Sequence, residues 1–222
     1  MKYLLEEVAK IKMGKMFTSE KCFTREGIPY ITEEALNKLS LEDDTSCLPK
    51  VDSTLKEQYS FSLVPTQSIL LNKTNLKDTS IYQCKTDVCI SHEIIAIIPN
   101  ESILSSDYLF HFIKWHQHNN KKCDDYRLMI ELPSIVIQHQ VVQVLNAVQQ
   151  LLANKEYLVT AVKNLPKHFD DTSRQAKHHS NSLYQGFEQL HYLYIAMLNH
   201  IFNGDYLHDF PEYHACQKLY SH

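Results

Sequence analysis

Two runs of apolar residues near the carboxyl end of the chain constrain its fold more than any other sequence feature. In both runs the apolar residues alternate at intervals of four and three, and Lys155 is the one polar residue at a seam position of the first run. This average interval of about 3.5 residues is typical of helices that pack along a long partner. The sequence therefore predicts coiled-coil-like helices over about 137–165 and 182–203. Their seam residues are Val141, Leu145, Val148, Leu152, Val159, Val162, Leu183, Phe187, Leu190, Tyr194, Met197 and Ile201.

The predicted ends of these helices carry the expected residues. Pro166 ends the first helix, since proline cannot continue a helical ladder. Asn181 and Ser182 can cap the second, and Gly204 suits the position after its last turn. The alternative is an ordinary amphipathic helix packed on the preceding domain, but a pair of long helices accounts for both seams.

The composition changes near Pro133, and this change predicts the domain organisation. Before it, short alternating or β-branched stretches predict strands at 28–31, 59–64, 68–71, 81–84, 93–98 and 130–132. Helices are expected from residue 32 and over about 106–117, and the polar residues 41–57 are expected to form a loop. We therefore predict an α+β fold with a mixed, β-rich domain over 1–135, a two-helix region over 136–205 and a tail over 206–222.

Composition argues against a secreted disulfide-bonded protein, a membrane protein and a protein that binds nucleic acid by its overall charge. The six cysteines are scattered without a CxxC pair, which is typical of a reduced, cytoplasmic protein. No run approaches the roughly 18 apolar residues of a membrane span, and residues 1–7 lack the apolar segment of a signal peptide. The formal net charge of −4 argues against binding nucleic acid by bulk charge, but it does not exclude a local basic face.

No catalytic or cofactor-binding motif is present in the sequence. With four glycines, the chain has neither a dinucleotide-binding nor a phosphate-binding glycine-rich loop. The histidines at 116, 118, 178 and 179 lack further ligands at the spacing of a zinc site. Adjacent aspartates at 43–44, 124–125 and 170–171 share one polar environment, whereas acid–base catalysis needs two different ones. We predict no catalytic residue, no metal and no cofactor.

The order of several short motifs over residues 1–205 resembles the specificity subunit of type I restriction-modification systems. These motifs are Lys10–Lys15, Gly27–Ile31, Leu63–Leu71, Asp87–Pro99, Ser106–Phe112, Ile130–Pro133 with Gln138 and Gln140, and Leu198–Asp205. The sequence departs from the family where Ser134 and His139 replace the usual Pro and Glu, and where Thr66-Gln67 replaces a Gly-Asp pair. Each motif is short, and the resemblance rests on their order and spacing.

The resemblance implies how such a chain would act. Residues 1–135 would be a target recognition domain that enters the major groove of double-stranded DNA, and the long helices would set the distance between half-sites. A methyltransferase subunit would dock on the helices and a restriction subunit would join them, so the methyl donor would belong to a partner. A family member carries two recognition domains, whereas this chain resembles one half. Either two copies form a homodimer, or the two helices fold back as a hairpin within one chain.

Basic and amide side chains in three loops are the candidates for DNA contacts. Between residues 10 and 25 there are five positive charges and one negative charge, and lysines position phosphates while amides and arginine read base edges. Gln83 is a further candidate, and Lys114 and Arg127 extend the third group. The predicted DNA-binding residues are Lys12, Lys15, Lys21, Arg25, Asn72, Lys73, Asn75, Lys77, Asn119, Asn120, Lys121 and Lys122.

Two other classes of function stay open at the level of sequence. A non-catalytic interaction module could use the same helices as a scaffold without reading DNA. An enzyme would require a metal or cofactor that no motif predicts. The net charge is compatible with a DNA-binding face, because the acidic residues 42–44 and those after Asp205 lie away from the basic loops. An assembly could gain most of its phosphate contacts from the methyltransferase, so we expect weak DNA binding by the chain alone.

Overall fold

The computed structural model describes residues 1–16, 23–42, 44–52, 54, 61–73, 80–119, 128–163 and 191–203. The chain divides into two compact units, Met1–Gln138 and His139–His222. The first unit holds all the strands described, and the second holds most of the long helix.

Eleven strands and five helical segments are present in the described residues. The strands are β1 Lys2–Leu4, β2 Ala9–Met13, β3 Phe23–Thr24, β4 Ile28–Ile31, β5 Lys50–Val51, β6 Leu63–Val64, β7 Ile69–Asn72, β8 Ile81–Gln83, β9 Val88–Ile90, β10 Ile94–Pro99 and β11 Met129–Glu131. The helices are α1 Leu5–Val8, α2 Glu33–Glu42, α3 Ser106–Asn119, α4 Ile135–Lys163 and the helical residues 191–202, here called α5.

Strand β10 lies at the centre of the first unit. It pairs antiparallel with β2 on one side and with β7 on the other, in a sheet of order β2-β10-β7-β8. The four residues Ile94 to Ile97 are completely buried, because α2 packs toward one face and α3 contacts β7, β8 and β10. A continuous apolar run is what a strand covered on both faces requires.

A second sheet has the order β3-β5-β4-β9-β6 and contains one parallel pair. Tyr30 on β4 lies beside Cys89 on β9 in this pair. These two residues form a small core with Val51 and Phe61. The connection between these parallel strands runs from residue 32 to residue 87, far longer than the tight turn that can join antiparallel neighbours.

The amino terminus of the chain closes the first unit. Strand β1 pairs antiparallel with β11, which brings Lys2 opposite Glu131. The backbone N–H of Leu132 donates to the carbonyl of Met1 at 2.8 Å. The start of the chain therefore lies beside the segment that leads into α4.

Most predicted elements occur, with differences at their ends. Helix α2 continues to Glu42 and β5 lies at 50–51, both inside the predicted 41–57 loop. Of the predicted strand at 59–64, only Leu63 and Val64 pair with another strand, and residues 59 and 60 lie outside the described residues. Strands β2 and β9 overlap the Lys10–Lys15 and Asp87–Pro99 motifs of the resemblance. Strands β1, β3 and β5 match neither a predicted strand nor a motif, because two- and three-residue strands are fixed by distant pairing partners and leave little local signal.

Candidate nucleic-acid interface

Two of the predicted DNA-binding lysines lie at the same end of the first sheet. Lys15 follows the end of β2 and Lys73 follows the end of β7, and both side chains are exposed. Met13 pairs with Ile95 and Asn72 pairs with Ile94, so both strands end beside the start of β10. The fold thus brings together two cations that are far apart in the sequence.

Arg25 and Asn119 are the other exposed members of the predicted set. Arg25 lies between β3 and β4, two residues before Gly27, whose φ of +148° lies outside the range that side chains readily adopt. Asn119 is the last residue of α3. Exposure leaves Arg25 accessible to a phosphate or a base edge.

Asn72 and Lys12 differ from their predicted role. Asn72 was expected in an exposed turn, but it is the last residue of β7, is 2% exposed, and its side-chain amide donates to Glu33. Lys12 donates from Nζ to the carbonyl oxygen of Leu63 at 2.6 Å and so connects β2 to β6. The turn begins one residue later than the sequence suggested, at Lys73, and Asn72 is removed from the candidate contacts.

The remaining predicted contacts lie outside the described residues. These are Lys21, Asn75, Lys77, Asn120, Lys121 and Lys122. They stay predictions from the sequence.

The structure also describes part of the predicted helix seams within the second unit. Val141, Leu145, Tyr194 and Ile201 are buried, and Val148, Leu152 and Met197 are partly buried. Val159 and Val162 lie in α4 with no side chain described, and Leu183, Phe187 and Leu190 lie outside the described residues. The seam therefore corresponds to the buried side of each helix wherever its side chains are described.

Helices α4 and α5 contact one another within the chain. The side-chain amide of Gln149 donates to the hydroxyl oxygen of Tyr194 at 2.7 Å. Burial raises the pKa of Tyr194 to about 12, against a smaller opposing effect of the Gln149 hydrogen bond, so the phenol stays neutral at physiological pH. Beside the seam, Val144 is 45% exposed and Leu151 is 57% exposed. The described part of the second unit thus leaves an apolar strip uncovered along α4.

Neither a metal site nor a membrane span is found in the described part of the chain. No group of three His, Cys, Asp or Glu side chains there could hold a metal ion. No helix among the described residues is both long enough and apolar enough to cross a membrane. His116, one of the histidines considered above, lies on α3, where burial lowers its pKa.

Three solved structures resemble this fold. A chain from a structure on complex assembly and conformational transition of the type I R-M system superposes with a TM-score of 0.51 at 17% identity, over 90% of this chain and 45% of that one. The HsdS subunit from Thermoanaerobacter tengcongensis gives 0.49 at 16% identity, over 92% and 45%. The type I restriction-modification S subunit from M. genitalium gives 0.44 at 13% identity, over 74% and 43%.

Sequence comparison identifies the family. The model for the type I restriction modification DNA specificity domain matches residues 1–163, so the chain belongs to this family. The match covers the whole first unit and α4, and it confirms the resemblance seen in the sequence. No curated protein matches the chain. The chain spans less than half the length of the solved chains that it resembles.

Proposed function

We propose that this chain is the DNA sequence-specificity subunit of a type I restriction-modification system and has no catalytic activity of its own. It recognises double-stranded DNA through its first unit and recruits the methyltransferase and restriction subunits, in the cytoplasm. The observation that carries this proposal is the family match, which runs without a break from the β-rich domain into the long helix. A specificity domain serves recognition, and the catalytic groups then belong to its partners.

The exposed cations of the first unit support a role in DNA binding. Lys15 and Lys73 at one end of the sheet would contact phosphates, because lysine is a point charge without base preference. The net charge of −4 limits such contacts to a local surface. Tight binding then requires the methyltransferase to supply further phosphate contacts, and the isolated chain binds DNA weakly.

A salt titration of DNA binding tests the two lysines. In the complex with the methyltransferase, Lys15→Gln and Lys73→Gln should each weaken binding to all sequences and reduce the slope of log K against log salt by about 0.9. Lys38→Gln is the matched control, since Lys38 is exposed but lies 3.0 Å from Glu34 in an ion pair. Equal slopes for the three variants would contradict the proposal. Tight, salt-insensitive binding by the isolated chain would also contradict it.

We further propose that two copies assemble through their helices into one full specificity unit. The chain covers 45% of a solved chain that it resembles, so two copies related by two-fold symmetry would together match the length of that chain. The Gln149–Tyr194 hydrogen bond favours α5 packed on α4 in each copy. The exposed side chains of Val144 and Leu151 then form the surface that the second copy covers.

Molecular mass in solution tests this assembly. The 25.9 kDa chain should form a dimer of about 52 kDa, twice its own mass. The double variant Val144→Glu, Leu151→Glu should raise the dissociation constant at least about 100-fold, because burial of unpaired carboxylates costs several kcal/mol. The control is Gln143→Glu, Gln150→Glu, which places the same charges at exposed polar positions of the same helix. A monomeric wild-type chain, or equal dissociation of both variants, would overturn the homodimer.

A further inference from the structure

A groove in the first unit has no role in the function proposed above. It lies between α2, β8 and α3 and has a volume of about 530 Å³. The polar and aromatic side chains that line it include Gln67, Gln83, Lys85, Asp107, Phe110 and Lys114. This volume is within the range of about 300–1,000 Å³ found for small-molecule sites.

One wall of the groove is a turn held in an unfavourable backbone conformation. Gln67 has a φ of +65°, which costs a residue with a Cβ about 1 kcal/mol. Its backbone N–H donates to the carbonyl of Cys84 at 2.7 Å, and its own carbonyl accepts from the hydroxyl of Ser106. The N–H of Thr66 donates to the carboxylate of Asp87 at 2.9 Å. The surrounding bonds therefore hold the turn, and with it the Gln67 side chain at the groove.

The amides of Gln67 and Gln83 hold each other in fixed orientations. Nε2 of Gln83 donates to Oε1 of Gln67 at 2.9 Å and to Oδ1 of Asp107 at 2.6 Å, and it also lies 2.9 Å from the Ser106 hydroxyl. Among the described residues, Gln83 Oε1 and Gln67 Nε2 have no hydrogen-bond partner. The pair thus offers one acceptor and one donor. This set complements the edge of adenine, which presents the N7 acceptor beside the N6 donor.

A desolvated cation lies farther along the groove. Nζ of Lys114 is 4.5 Å from the centre of the Phe110 ring, in contact with the electron-rich face. Burial lowers the pKa of Lys114. Lys114 follows Asp107 by two turns of α3, a separation of about 10 Å at 1.5 Å per residue. A bound phosphate would compensate the partly buried ammonium, and one nucleotide can bridge this distance.

We propose that this groove binds an adenine nucleotide, whose base edge is held by Gln67 and Gln83 and whose phosphate is held by Lys114. The nucleotide is either a residue of a DNA strand or a free mononucleotide, since both carry the same base and phosphate. The amide pair supplies base preference and the lysine supplies affinity without base preference. The site stands apart from the exposed lysines at the end of the sheet and does not depend on their role.

Calorimetric titration of the full-length chain with dAMP and dGMP tests the site. The wild-type chain should bind dAMP at least about tenfold more tightly than dGMP, the discrimination expected of one donor–acceptor pair. Gln83→Leu and Gln67→Gly should remove this difference, and Lys114→Gln should weaken both nucleotides about tenfold. Gln83→Leu can lower stability as well as remove the acceptor. Gln67→Gly keeps the positive φ accessible, so it removes the Gln67 Nε2 donor without straining the turn. Lys2→Gln is the control, because Lys2 lies 3.9 Å from Glu131 in a separate ion pair.

Competition identifies the source of the nucleotide. A single-stranded thymine oligonucleotide with one adenine should displace dAMP if the ligand belongs to DNA, whereas displacement only by free mononucleotides assigns the groove to a soluble ligand. Equal affinity for dAMP and dGMP, or wild-type affinities in the Gln83 and Lys114 variants, would overturn the proposal. The methyltransferase complex could bind DNA sequence-specifically while the chain binds no dAMP. That result would overturn the nucleotide site alone and leave the proposed function intact.

Discussion

Replacement of Gln138 by Leu is expected to lower the free energy of unfolding of the first unit by about 4 kcal/mol. The side chain of Gln138 is completely buried. Its Nε2 donates to the carbonyls of Ile103 at 2.8 Å and Pro133 at 3.0 Å, and its Oε1 accepts from the N–H of Ser105 at 2.9 Å. Leucine fills a similar volume but removes the partner of three backbone groups, of which those of Ser105 and Pro133 are in buried hydrogen bonds; each buried group left without a partner costs about 1–3 kcal/mol.

The position of Gln138 explains why such a large effect is expected. Its amide links the first turn of α4 to Pro133 and to the segment that leads into α3. This amide gives a physical role to the glutamine that follows the Ile130–Pro133 motif in the sequence. The motif leads into α4, and the buried amide holds the first turn of that helix against Pro133 and Ser105 within the first unit.

Urea unfolding measures this loss, with the fluorescence of the single tryptophan, Trp115, as the signal from α3. Gln140→Leu is the matched control, since Gln140 is exposed on the same helix and two residues away. The control should change stability by less than about 0.5 kcal/mol. If both variants unfold at the same urea concentration, the three hydrogen bonds of Gln138 do not contribute as described.

Local patterns predicted the elements that bury regular faces and failed where distant residues decide the structure. Strands β7, β8 and β10 and helix α3 follow directly from apolar runs and spacing. The ending of β7 did not, because Asn72 favours turns in isolation but here extends the ladder opposite Ile94. Similarly, nothing in the local sequence around Pro65 and Thr66 indicates that Gln67 adopts a positive φ.

Only part of the candidate site could be predicted from the sequence. The exposure of Lys15 and Lys73 was predicted from charge, but their common position depends on the pairing of β2 and β7 with β10. Lys12 resembled its neighbours in sequence, yet its ammonium reaches the Leu63 carbonyl, since a long aliphatic stem can turn inward. The paired amides of the groove come from the turn at Gln67 and from the end of β8, so no spacing along the chain reveals that they pair.

Substitution of Gly14 by Ala is expected to destabilise the first unit by at least about 3 kcal/mol. A Cβ at this position would lie 1.8 Å from the carbonyl oxygen of Ser91 and 2.9 Å from that of Ile90. Both obstacles are backbone atoms. The Ser91 N–H donates to the carbonyl of Ile31 and the Gly14 N–H donates to that of Ile94, both at 3.0 Å. The clash cannot be relieved by a side-chain rotation, so the two sheets must separate locally.

Gly14→Ala should also weaken DNA binding. This second effect would show that the close packing at Gly14 positions its neighbour Lys15. Because Gly14 precedes Lys15, separation of the strands would displace that lysine and weaken DNA binding in addition to lowering stability. Met13→Ala is the matched control for the unfolding measurement, since Met13 is 53% exposed and its loss leaves no buried cavity. Lys15→Gln separates the two effects, because it should remove the proposed phosphate contact without a change in unfolding. A Gly14→Ala chain as stable as the Met13→Ala chain would show that the β2–β9 approach is looser than described, and the position of Lys15 would then lose its structural basis.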